Sequence, residues 1–210
     1  MDVFVAGLGV LAGAASAALI STRTRLSATA RNGHGSAPIV LAPWLQIALG
    51  ALVGAAVAAR FAHSAALPAY LALAACAVPL SAIDLATSTI PNILLGPAAC
   101  TSLVGLLLAV PAGDGVTPLV RAILAALAVG AGFLALAVIA GGEFGLGDVK
   151  LLSYLALLTG YQSWTLALRG LFAGFAIAAI AALTTRTARS TRQIPLAPWL
   201  TLGAVVALIY

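Results

Sequence analysis

The residues of this chain best suited to chemistry are two aspartates, Asp84 and Asp148. Asp148 follows the glycine-rich turn Gly145-Leu146-Gly147 and precedes Lys150, between two long apolar runs. Asp84 lies at the end of another apolar run. The whole chain holds only five acidic residues, so two in such positions carry weight. A carboxylate at the edge of a membrane span is costly and marks a functional site by default. Two carboxylates held close together cannot both ionise easily, and the pair shares a proton near neutrality. One member can then act as general base on a water while the other, still protonated, polarises a peptide carbonyl. Glycines at 145 and 147 would let the backbone turn sharply and a substrate strand approach closely. Each acid alone also has a plain structural reading: Asp148 as the N-cap of a helix, Asp84 as an interfacial acid meeting an arginine. Their placement on one membrane face, derived below, favours the chemistry.

The elements that must position these acids are membrane helices. The 210 residues are 63% hydrophobic and only 7% charged, against about 25% charged residues in a soluble domain. Charge-free runs cover 3–22, 32–59, 61–83, 85–113, 122–142, 151–168, 170–185 and 193–210. Each is near or above the roughly 20 residues that cross about 30 Å of hydrocarbon as a helix. The runs are continuous and rich in Ala and Leu, whereas a membrane β-barrel needs short segments of alternating polarity. The first run is preceded by Asp2 and followed by Arg23 and Arg25, the reverse of a secretory signal. The expected fold is therefore all-α: a polytopic membrane protein of about eight transmembrane helices, forming a single membrane-embedded domain over 1–210. Residues 22–40 form a polar loop between the first two helices. Leu85 to Pro91 reads as a connector, and Pro91 can open the fourth helix. The sixth helix is expected from near Asp148 to Gly160, the seventh over about 164–184.

The net charge of +5 follows from the positive-inside rule and gives no reason to expect nucleic acid as a partner. Threading eight helices from an external N-terminus puts Arg23, Arg25, Arg31, Lys150, Arg186, Arg189 and Arg192 in the cytoplasm. Arg60, Arg121 and Arg169 fall at the outer ends. Both termini are then outside, and Asp84 and Asp148 both emerge at the cytoplasmic boundary, a result that was not an input. Asp2 and Asp114 lie on the opposite face. Glu143 is a solvated loop acid or a binder of a substrate amine. His34 and His63 are not placed to act with the pair. Cys76 and Cys100 lie in apolar runs without a CxxC partner, so no metal and no cofactor is expected. Small residues four apart, at Gly9 and Gly13, Gly50 and Gly54, and Gly170 and Gly174, read as helix packing.

These residues resemble a known family. Asp84-Leu85 followed by Ile90-Pro91-Asn92, then Gly145-Leu146-Gly147-Asp148-Val149-Lys150, is similar to the type IV prepilin peptidases, aspartyl proteases of the GxGD class. Gln193-Ile194-Pro195-Leu196-Ala197-Pro198-Trp199-Leu200 is similar to the proline-containing stretch that opens their last helix. The resemblance covers roughly 65–210. It implies that Asp84 and Asp148 are catalytic, with Gly145, Gly147, Lys150, Glu143, Pro91 and Asn92 shaping the loop or binding substrate. It implies a substrate too: the short basic leader of a prepilin or pseudopilin, cut at the cytoplasmic face of a bacterial inner membrane. Lys150 reads as a positive-inside anchor or as the partner of a glutamate early in the mature substrate helix. Bifunctional members carry paired zinc-binding CxxC motifs after the first helix, and residues 22–40 here contain no cysteine. The resemblance thus extends to the peptidase and not to the N-methyltransferase activity. It fits a short peptidase-only form, of the kind found with tight-adherence pili, or a diverged member of the longer group.

Two rival readings remain at this level. Another GxGD protease would share the second aspartate motif, but Ile90-Pro91-Asn92 after the first favours the prepilin group. A small proton-coupled transporter would also use membrane acids, but near the midplane on interrupted helices. The topology is open to direct measurement. Reporters fused after Arg31 and after Arg189 should both read as cytoplasmic, and one at Gly113 as external. Opposite faces for the first two would mean a wrong helix count.

Overall fold

The computed structural model describes residues 7, 10, 11 and 14, 42–141, 145–185 and 195–210. The loop expected over 22–40, the arginines at 186, 189 and 192, Gly9, Gly13 and Glu143 lie outside the described residues. Residues 7, 10, 11 and 14 are helical. Seven complete helices follow: α1 (Pro43–Phe61), α2 (Leu67–Thr87), α3 (Asn92–Ala109), α4 (Val116–Ile139), α5 (Leu146–Gln162), α6 (Trp164–Thr185) and α7 (Ala197–Ile209). Five of the seven are long and apolar enough to cross a membrane: α1, α2, α3 with its extension to Asp114, α4 and α6. The chain is thus an all-α, multi-span membrane protein. Large apolar side chains such as Leu127, Val138, Phe172 and Ile180 are exposed along these helices, as a lipid-facing surface requires.

The helix starts follow from proline. α1, α2 and α7 carry Pro43, Pro68 and Pro198 in the first turn, where a missing N–H costs nothing. The Pro91 carbonyl accepts the Leu94 and Leu95 amides at 3.1 and 3.2 Å and so opens α3. α3 ends in a wide turn, Val110–Asp114, where Gly113 and Gly115 take φ of 123° and 75°, values open to glycine but strained for other residues.

The largest departure from the sequence reading is at the end of α2. The polar stretch after Asp84 reads as a connector, but the helix continues to Thr87. The Thr87 hydroxyl donates to the Ile83 carbonyl at 2.8 Å, so a polar residue stays helical by bonding its own backbone. Ser88 then closes the helix in the left-handed region, φ 51°, and its N–H donates to the Asp84 carbonyl at 2.7 Å. At its other end α5 begins at Leu146 and runs to Gln162, two residues beyond the expectation at each end.

The chain divides into two compact units, Met1–Gly105 and Leu106–Tyr210. In the first, Phe61 stacks on Tyr70 with ring centroids 3.8 Å apart. The buried Ser102 hydroxyl donates to the Ala69 carbonyl at 2.9 Å and ties α3 to α2. A side chain at Gly105 would stand 2.8 Å from the Ala69 nitrogen, so the two backbones meet there. Gly50 and Gly54 are buried in α1.

In the second unit, α5 packs against α4, α6 and α7, and α6 against α7. The α6–α7 seam is built on glycine. A Cβ at Gly174 would lie 2.9 Å from the Leu200 Cα, and one at Gly203 would overlap the Gly174 backbone. Close approach of this kind provides the packing that holds helices together in lipid, where no hydrophobic force acts between them. Gly203→Ala should therefore destabilise the protein by ~1–3 kcal/mol, the usual cost of overpacking. Thermal unfolding in detergent measures it, and an unchanged midpoint would show that the seam has room to spare.

Candidate functional site

Each aspartate sits on an enclosed helix. Asp84 is 3% exposed, one turn inside the C-terminal end of α2, where it lies among other buried residues such as Leu80 and Ala82. Five residues earlier, Pro79 interrupts the helix ladder, because proline has no N–H to donate. The Ser81 hydroxyl donates to the Ala77 carbonyl at 2.7 Å in the same turn.

Asp148 occupies the first turn of α5 and is partly buried. It is not the N-cap; that position belongs to Gly145, three residues earlier. The Asp148 and Val149 amides donate to the Gly145 carbonyl at 3.0 and 3.3 Å. An acid in the first turn is favoured by the positive end of the helix dipole. The glycines around it do not act as expected from the sequence. Gly145 has φ −66° and ψ 131°, an extended conformation open to any residue. Gly147 is an ordinary helical position. The left-handed turn lies at Gly141, φ 66°, which closes α4. What glycine provides at 145 is space: a Cβ there would stand 3.0 Å from Asp148 Oδ2. The carboxylate lies over the place where a side chain would be.

Lys150 is exposed while Asp148 is partly buried, as their separation of two residues on a helix dictates. Pro91 is partly buried and Asn92 exposed at the start of α3. Asp84, Pro91 and Asn92 belong to the first unit; Gly145, Gly147, Asp148 and Lys150 belong to the second.

The far end of α5 holds a cluster that the sequence did not single out. Arg121, on α4, donates from Nε to the Gly160 carbonyl at 2.7 Å and from Nη2 to the carbonyls of Tyr161 and Gln162. The Tyr161 hydroxyl donates to Asp114 Oδ2 at 2.9 Å. The last carbonyls of a helix have no intrahelical donor, and one guanidinium serves three of them. The positive charge at the end of an apolar run was visible in the sequence; its acceptors, about 40 residues away, were not.

Residues 71–185 match the type IV leader peptidase family, which is more than half of the chain, and the chain belongs to this family. The matched stretch includes both aspartates and every other candidate residue named above. Comparison with curated proteins gave no match, and comparison with solved structures gave none.

The space at Gly145 generates a test. Gly145→Ala should push the Asp148 carboxylate by a few tenths of an ångström; if Asp148 takes part in the peptidase activity of the family, that activity should fall by about tenfold, since a 1 Å misplacement can cost 10²-fold. The unfolding free energy should fall by no more than an N-cap exchange explains, ~1 kcal/mol. Full activity in the variant would show that the carboxylate has another place to work from.

Proposed function

We propose that the protein is a prepilin peptidase, an aspartyl endopeptidase that removes the basic leader of prepilin or pseudopilin precursors at the cytoplasmic face of a bacterial inner membrane. The observation that carries this reading is membership of the leader peptidase family over a span that holds Asp84 and Asp148. In this reading the two carboxylates share one proton and act on one peptide bond. The ionised member takes a proton from water, and the water oxygen attacks the scissile carbonyl carbon. The protonated member donates a hydrogen bond to the carbonyl oxygen as negative charge develops there. Collapse of the tetrahedral intermediate breaks the C–N bond; the leaving amine takes the proton that the first carboxylate accepted from water, and the pair is left sharing one proton again. No cofactor enters this chemistry.

The surrounding features have roles in the same reading. Burial of Asp84 lowers the local dielectric and strengthens its interaction with developing charge. Lys150, exposed two residues after Asp148 on α5, serves in this reading as the partner of a substrate carboxylate or as an anchor at the lipid surface. Gly145, having no side chain, leaves the space over which the Asp148 carboxylate lies. The chain acts as one membrane-embedded domain over 1–210, with eight spans and both termini outside, supported by the arginine asymmetry of its loops.

Cleavage of a prepilin-like peptide by the protein in membrane vesicles tests the reading. Asp84→Asn and Asp148→Asn should each reduce the rate by a factor on the order of 10²–10⁴, the usual contribution of a general acid or base. The double variant should resemble either single one, because members of one catalytic unit do not contribute additively. Most of the activity surviving in Asp148→Asn, with the protein still in the membrane, would end the proposal.

A further inference from the structure

One groove in the second unit takes no part in the hydrolytic reading. It lies along one face of α4. At the end where α4 begins, a cavity of about 400 Å³ is bordered by Thr117, Arg121, Leu124 and Trp164. A second cavity, about 500 Å³, continues along α4 past Ala128 and Gly132 to Leu136, with Leu168 and Leu171 of α6 opposite. Trp164 borders both. Thr117, Arg121, Ala125, Ala128, Gly132 and Leu136 are spaced by three or four residues, so they share one helix face. The groove is therefore polar and cationic at one end and apolar along the rest.

We propose that this groove binds one anionic phospholipid, with its phosphate at Arg121 and Thr117 and an acyl chain along Ala128 and Gly132. Charge complementarity selects the headgroup. Arg121 uses Nε and Nη2 for the α5 carbonyls, and none of these acceptors carries a full negative charge. Nη1 makes none of these bonds, and a guanidinium carries five N–H donors in all. Asp114, close by in sequence, accepts the Tyr161 hydroxyl and makes no bond to Arg121. A phosphate oxygen at Nη1 would form a charge-assisted bond.

The length and width select the chain. From Arg121 to Leu136 the helix rises about 22 Å, more than the ~15 Å depth of one leaflet in a 30 Å hydrocarbon core. The groove runs beside a seam where α4 and α6 stay in contact and Phe133 stacks on Phe175 at 5.4 Å, which suits a single acyl chain. Arg121 bonds the end of α5 opposite to Asp148, so the lipid headgroup lies at the far end of that helix from Asp148. The proposal does not rest on the peptidase reading.

Native mass spectrometry of the full chain in detergent tests it, after incubation with phosphatidylglycerol, with phosphatidylcholine of the same acyl chains, or with inorganic phosphate. One phosphatidylglycerol should be retained per chain, at least about tenfold more tightly than phosphatidylcholine. Gly132→Leu is the decisive variant, since no atom lies within 4 Å of a Cβ built there. It should fill the groove and abolish retention while the unfolding midpoint in phosphatidylcholine stays unchanged. Arg121→Gln should remove the preference between the two lipids. Equal retention of both lipids by the unmodified protein would overturn the proposal, as would wild-type retention by Gly132→Leu. Displacement of the lipid by inorganic phosphate would reduce the site to an anion site, and displacement by an apolar helical peptide would make it a helix-docking face; either result rejects it.

Discussion

A backbone group within hydrocarbon has no water to bond, so it must find its partner inside the protein. This constraint orders most of what is seen here. The first turns of α1, α2 and α7 use proline, which has no N–H to satisfy. The last turn of α2 is closed by Ser88 and by the Thr87 hydroxyl. The carbonyl end of α5 is closed by Arg121. Hydroxyls inside the bundle bond their own helices, as Thr159 does to the Leu155 carbonyl and Thr201 to that of Ala197. Once these groups are satisfied locally, the helices can pack through small residues, and the few remaining polar side chains are left for other work.

The two aspartates stand out against that background. Their helices expose less apolar surface than α4, where Leu127, Val138 and Ile139 face outward, and α5 is bordered by three other helices. An acid facing lipid would neutralise or distort its helix; an acid on an enclosed helix can keep its polarity and still meet a chain arriving from the aqueous side. Family membership and helix placement are thus two independent reasons to look at the same residues.

Much of this was legible in the sequence, because membrane spans declare themselves by length without charge. The breaks at Arg60 and Asp114 already divide the chain nearly as the structure does. Boundaries were less legible where polarity and conformation part company: Thr87 looks like loop and is helix. Gly145 was read for backbone freedom, yet its dihedrals are ordinary and its role is spatial. That distinction depends on where the carboxylate three residues on folds back. The Arg121 contacts depend on tertiary packing across two helices, which no local pattern encodes.

The clamp at one end of α5 and the aspartate at the other make this helix a ruler. Twelve residues separate Asp148 from Gly160, a span of about 18 Å along the axis. With the far end fixed by three carbonyl bonds, any residue added between them must be absorbed at the near end. One insertion would raise Asp148 by ~1.5 Å and swing it about 100° around the helix, away from the face it now serves. A deletion would do the same in the opposite sense. The number of residues in α5 is therefore as much a part of the candidate site as the identity of the acid it carries.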